Sequence, residues 1–224
     1  MQSKSWIEST LDHQRLLVLA ELCAVIIASW IYLLAGAGTG MSTLAMTSWE
    51  MAIGTPQALS RAVATPVDWT IGYAMAMAAM WWVMMIAMML PSAAPVILLH
   101  AKISAAEGST LDSLFFVSGY VLAWGGFSIA ATTLQGLFEY SGLLSSHMMS
   151  TSSNLFAAAI LIYAGLYQLS PLKHVCLTHC QGPLTFLTHH WRQGTWGALH
   201  MGLHHGAYCL GCCAGLMAIL FFGG

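Results

Sequence analysis

The run Met75-Ala76-Met77-Ala78-Ala79-Met80-Trp81-Trp82-Val83-Met84-Met85-Ile86-Ala87-Met88-Met89-Leu90-Pro91 contains no charged, amide or hydroxyl side chain. It sits inside a longer apolar stretch, Trp69–Leu99, and about 20 consecutive apolar residues are enough for a helix to cross a bilayer. Four further stretches read the same way: Leu16–Ala37, Leu114–Phe138, Leu155–Leu169 and Ala198–Gly223. Together they predict an all-α fold, a polytopic transmembrane helix bundle with five spanning helices in one integral membrane domain over residues 1–224. The fourth stretch is short unless its flanks join it. The second is longer than a span requires, so tilt or a bend is expected, with Pro91 and Pro95 as the kink positions. Residues 38–66, rich in Gly, Thr, Ser and Met, form an outer loop or interfacial segment.

Composition agrees with this pattern. Of 224 residues 58% are hydrophobic and 6% are charged, against about 25% charged in an ordinary soluble domain. So few charges cannot cover a water-facing surface, which excludes a soluble enzyme and a disordered chain. Six basic residues against eight acidic ones exclude a nucleic-acid binder. Lys4 and Arg15 before the first stretch resemble the start of a secretion signal. The apolar run is too long for one, however, and no small-residue cleavage site follows, so it reads as a retained helix.

Orientation follows from the basic residues. Lys4, Arg15, Lys102, Lys173 and Arg192 fall on one side of the five-span scheme and Arg61 on the other. The N-terminus is therefore expected in the cytoplasm and the C-terminus outside. The chain ends at Phe221–Gly224 without a polar exit, which fits either a longer protein or a partner covering that end. Gly202/Gly206 and Gly211/Gly215 are two G-x-x-x-G pairs, the spacing that admits another helix closely in lipid. Other membrane subunits are the partners expected there.

Five of the six cysteines and seven of the ten histidines lie between His174 and Cys213. One group, around Cys176 and Cys180, follows Pro171 in a cytoplasmic loop. The other, His204-His205-Gly206-Ala207-Tyr208-Cys209-Leu210-Gly211-Cys212-Cys213, lies in the fifth helix. Residues three and four apart share a helix face, so Cys209, Cys212 and Cys213 converge. Met201, His205, Cys209, Cys213 and Met217 form an unbroken i+4 stripe. His205 and Cys213 stand ~12 Å apart along the axis at 1.5 Å per residue, too far for one metal. Thiolate and thioether ligands favour Cu(I), with zinc and iron–sulfur clusters behind. Buried cysteine is also a plain small hydrophobe, which is the reading for Cys23. Cys209/Cys212 is in addition a C-x-x-C, the spacing of dithiol–disulfide exchange.

Seven of the fifteen residues from Met75 to Met89 are methionine. Met80, Met84 and Met88 make one i+4 stripe, which would form a soft-ion pocket if it lay beside the thiol face. Methionine also fills gaps in ordinary cores, so these three are candidates for weak, exchangeable contacts.

Three ordered motifs carry a resemblance. Met84-Met85-Ile86-Ala87-Met88-Met89-Leu90-Pro91-Ser92-Ala93-Ala94-Pro95 resembles the signature of a bacterial family of predicted metal-binding integral membrane proteins, formally a domain of unknown function. Tyr167-Gln168-Leu169-Ser170-Pro171-Leu172-Lys173 with Cys176 and Cys180 resembles its second motif. His205-Gly206 with Tyr208-Cys209-Leu210-Gly211-Cys212-Cys213 resembles its third. The resemblance implies that Cys176, Cys180, His205, Cys209, Cys212 and Cys213 are the metal-binding residues and that the protein lies in the bacterial inner membrane. At His200 and His204 the family more often has basic residues, and its members usually continue into another helix.

The expectation is therefore a membrane protein that binds a soft transition metal, copper first and zinc behind it, for handling or delivery within the bilayer. Cys209, Cys212 and Cys213 would be primary ligands. His205 would complete the site or begin a relay, and Cys176 and Cys180 would form a separate cytoplasmic site. A thiol oxidoreductase and a non-catalytic subunit of a larger membrane complex are the alternatives.

Overall fold

The computed structural model describes residues 2–35, 68–109, 111–144 and 154–220, with side chains in the first segment from Leu16 onward. Among these residues all regular structure is helical. In chain order the helices are α1 (Gln2–Leu34), α2 (Ile71–Ala106), α3 (Leu111–Tyr140), α4 (Asn154–Gln168), α5 (Pro171–Gln181), α6 (Pro183–His190) and α7 (Gly194–Met217). The expected segment 38–66 lies outside the described residues, as does the chain end at 221–224.

The helix α3 is the centre of the bundle. Asp112, Phe116, Tyr120, Trp124, Ser128 and Thr132, spaced by four, are all buried, so one straight stripe faces inward. α2 and α7 both pack on α3; α1 lies on α2, and α5 lies on α7. α3 and α7 approach almost backbone to backbone. A Cβ on Gly202 would collide with the Phe116 carbonyl, one on Gly119 with the Leu199 carbonyl, and one on Gly206 with the Ala123 side chain. The Gly202/Gly206 pair is thus filled from within the chain, by α3.

Helix α2 runs unbroken through Pro91 and Pro95. The hydroxyls of Ser92 and Tyr120 both donate to the Met89 carbonyl, at 2.7 and 2.9 Å; such side-chain donors are what let a helix tolerate proline in an apolar setting. At the other end of α2 a polar chain ties it to α3. Trp81 Nε1 donates to Gln135 Oε1, Gln135 Nε2 donates to Glu139 Oε1, and Trp69 Nε1 donates to Glu139 Oε2, each at 2.9 Å. Beyond α2 and α3 the chain turns on Gly108 and Gly142, whose φ of 84° and 72° suit glycine.

Three helices are long and apolar enough to cross a membrane: Leu16–Leu34, Ile71–Ala106 and Leu111–Tyr140. This corrects the expected five. The fourth stretch forms only the 15-residue α4, and it reaches span length only together with Pro171–Cys180 across a 64° bend. The fifth, α7, is not among the spans. His200, His204 and His205, with six glycines, dilute its apolar residues below those of the other three. The outer surface remains greasy: Leu16, Ile27, Ile31, Leu122, Ile129, Leu137, Leu155, Ile162 and Leu166 are all exposed. Exposed apolar surface on this scale needs lipid or protein against it.

Candidate metal centre

The site is made by the break between α4 and α5. Ser170 Oγ accepts from the Lys173 N–H at 3.3 Å, and Pro171 begins the next helix; both are standard helix-start chemistry. The resulting 64° bend turns α5 across α7. Two glycines receive it. Cys176 of α5 occupies the space where Gly211 lacks a Cβ, and the Tyr167 ring of α4 lies against Gly215. The Tyr167 hydroxyl also donates to the Gly211 carbonyl. The second G-x-x-x-G pair is thereby occupied by α4 and α5 of the same chain.

This fold-back brings Cys180 to the α7 thiols. The Sγ atoms of Cys180, Cys209 and Cys212 all lie within 4.8 Å of one another, with Cys209 and Cys212 buried and Cys180 half-buried. Sulfurs that share one trigonal metal at ~2.3 Å per bond stand about 4 Å apart. The three thiols therefore match a soft metal with only small side-chain adjustment. Cys213 Sγ is 3.4 Å from Cys212 Sγ and completes a four-thiol patch. No disulfide links these residues; all are free thiols.

The structure places Cys180 with Cys209 and Cys212 and not, as the sequence leads one to expect, in a separate cytoplasmic site with Cys176. Cys176 is one turn earlier on α5, at Gly211, next to the group rather than far from it. His205 is 1% exposed, and neither ring nitrogen has a hydrogen-bond partner. Its ring lies among Phe186, Tyr120 and Phe116, at centroid distances of 4.9, 5.8 and 6.3 Å. It is one turn from Cys209 and not one of the three clustered ligands. The rest of its stripe is inward-facing too: Met201, Cys209 and Met217 are buried and Cys213 is half-buried.

Met80, Met84 and Met88 lie on α2, with Met80 buried and the other two half-buried. That helix packs on α1, α3 and α6, and no methionine belongs to the group of thiols that come together on α5 and α7.

One contact had no sequence signal. Tyr120 of α3 reaches Cys209 Sγ at 3.3 Å while its hydroxyl hydrogen goes to the Met89 carbonyl. A hydroxyl has one hydrogen, so the thiol of Cys209 is the donor in this state. When Cys209 becomes a thiolate the hydroxyl can turn and donate to sulfur. Nothing in the sequence places Tyr120 there, because its position depends on the crossing at Gly119 and Gly202.

No curated protein and no solved structure matches the chain. Residues 78–224, which hold most of α2, all of α3 to α7 and every thiol of the cluster, match the copper chaperone family PpoB2, and the chain belongs to that family.

Proposed function

We propose that this protein binds Cu(I) through Cys180, Cys209 and Cys212 and passes it on to a partner while embedded in a membrane. The observation that carries the reading is the convergence of three thiols from two separate helices within 4.8 Å. Sulfur donors select Cu(I) over hard cations, and membership of a copper chaperone family points to the same cargo. Copper here is cargo, so the site must release it as well as hold it. Cys213 and Cys176, each beside the three, offer neighbouring sulfurs through which the ion can be exchanged one bond at a time. The three apolar helices and the greasy exterior support placement in a bilayer. Lys4 and Arg15, just ahead of the first apolar helix, support an N-terminus in the cytoplasm, and the resemblance of the three motifs to a bacterial membrane family supports a bacterial inner membrane.

The test is elemental analysis of full-length protein purified anaerobically in detergent, with free thiols counted in parallel. Stoichiometric copper with sulfur ligands, lost on Cys209→Ser, is the expected result. Protein that carries no metal under reducing conditions, even when Cu(I) is supplied, would remove the proposal. A C-x-x-C redox role would show instead as thiols that disappear and return with oxidant and reductant at constant low metal content.

A further inference from the structure

We propose a second copper site in this chain, a two-nitrogen site formed by His190 of α6 and His204 of α7, which receives the ion before the thiols do. It rests on the reading above for the identity of the cargo. The rings of His190 and His204 are near neighbours, with centroids 4.7 Å apart and planes at 72°. Two imidazole nitrogens on one metal at about 2.0–2.1 Å each stand up to roughly 4 Å apart, which rings at that separation can supply.

A hydrogen bond to the backbone sets the tautomer of the His190 ring. Its Nδ1 lies 3.1 Å from the Phe186 carbonyl. A carbonyl only accepts, so Nδ1 carries the hydrogen and Nε2 keeps its lone pair. This is the outer hydrogen bond that fixes the tautomer of metal-binding histidines. His179 of α5 repeats the arrangement, with Nδ1 donating to the Val175 carbonyl at 2.9 Å.

The surroundings form a row. Exposed His200 lies one turn from His204 on α7, with ring centroids 6.3 Å apart. Tyr208 lies one turn further, 4.8 Å from His204 and stacked at 4.5 Å on His179. His179 precedes Cys180, a member of the thiol group. His190, His200, Arg192 and His179, all of them bases, lie close enough to act on His204 electrostatically. The row of rings thus leads from an exposed histidine to a half-buried thiol.

Softness sets the direction of transfer, since Cu(I) prefers thiolate to imidazole. The ion remains Cu(I) throughout. The Cu–N bonds to His190 and His204 break, and Cu–S bonds to Cys180, Cys209 and Cys212 form. The protons leaving those thiols pass to the freed imidazoles and to solvent.

The experiment uses the full chain in detergent with Cu(I) supplied anaerobically, read by copper content and X-ray absorption. A variant carrying Cys180→Ser, Cys209→Ser and Cys212→Ser should keep a copper with nitrogen ligands. Adding His190→Ala and His204→Ala should abolish it. In the chain with thiols intact, the two histidine changes should leave sulfur-bound copper in place and slow its loading. His190→Gln and His204→Gln serve as a second pair, with helix content by circular dichroism confirming that each variant is folded. If the serine variant holds no nitrogen-bound copper while the native chain holds sulfur-bound copper, this site falls and the thiol reading stands. Nitrogen-bound copper that survives loss of both histidines would equally overturn it. If the native chain holds only nitrogen-bound copper, and loses it with the two histidines, the thiol reading falls and this site stands.

Discussion

The thiols of α7 and the methionines of α2 are the two soft-ligand faces of this molecule, and the fold treats them differently. Each is a stripe at i+4 spacing on one helix. The α7 stripe meets a second helix that brings a further thiol, because the bend at Ser170–Pro171 lays α5 across Gly211 while Tyr167 of α4 covers Gly215. The α2 stripe meets apolar side chains. Met77, Met80, Met85 and Met89 are buried in the core with Trp81, Leu90, Phe116 and Trp124. A helix face made of ligand atoms becomes a site only when its neighbour also contributes ligands, and the neighbour is not written in the stripe itself.

The largest expected effect is on the thiol side. Cys209→Ser, Cys180→Ser or Cys212→Ser should each abolish stoichiometric sulfur-bound copper, measured by elemental analysis and by the loss of the Cu–S signal in X-ray absorption. Cys180→Ser is the informative one of the three. If α5 did not fold back on α7, Cys180 would be dispensable and only the α7 cysteines would matter. Retention of full copper by Cys180→Ser would break the comparison at its root.

A second effect concerns the crossing that holds α7 in place. Gly202→Val puts a branched side chain against the Phe116 carbonyl and the Tyr120 backbone nitrogen, which cannot move aside as a flexible side chain could. Overpacking typically costs 1–3 kcal/mol and occasionally more, so a loss of about 3 kcal/mol or failure to assemble is expected. Thermal unfolding in detergent gives the number. Gly211→Ala should cost less, because the atom it meets is the Cys176 sulfur, and its main effect should be on copper affinity. Equal destabilisation by the two would mean that the α5 contact is as rigid as the α3 contact.

A third, smaller effect isolates Tyr120. Tyr120→Phe removes the hydroxyl shared between the Met89 carbonyl and Cys209 Sγ. One hydrogen bond contributes about 0.5–1.5 kcal/mol to stability, and groups that support a metal ligand typically matter about 10- to 100-fold in affinity. Copper affinity near the lower end of that range is expected, measured by competition with a Cu(I) chelator. No change in affinity would show that the hydroxyl serves only to hold α2 against α3.

How much of this was legible follows the same division. The apolar stretches marked α1, α2 and α3 correctly, because length and composition alone decide whether a helix can span. The same arithmetic overcounted at α4 and α7. α4 stops after 15 residues, short of a span, ahead of Ser170-Pro171, and α7 carries three histidines among its apolar residues. On α7 the inward stripe of Met201, His205 and Cys209 was readable from spacing, and all three are buried. Two features were not readable. Cys180 joins Cys209 and Cys212 through a bend whose angle no local signal gives, and Tyr120 meets Cys209 through two glycines 83 positions apart on different helices. Periodicity reports which residues share a face; it is silent on which face comes to meet them.

The smallest expected effect completes the comparison. Met80→Leu, Met84→Leu and Met88→Leu together replace three thioethers with hydrocarbon of nearly the same volume. Volume-conserving swaps of this kind usually cost less than about 1.5 kcal/mol each, so the fold should survive with a modest fall in unfolding temperature. α2 packs on α1, α3 and α6, and the metal-ligand candidates that come together belong to α5 and α7. Copper content at equilibrium should therefore stay at the native level, and only the rate of exchange with an external chelator should change if these sulfurs make passing contacts. The outcome that sinks the comparison is a leucine variant that folds normally, by circular dichroism, but loses copper as completely as Cys209→Ser. Thioethers of α2 would then be ligands in their own right, and the metal would have to sit between α2 and α7 at the level of Tyr120. A variant whose copper content and exchange rate both match the native chain would instead assign the methionines wholly to packing.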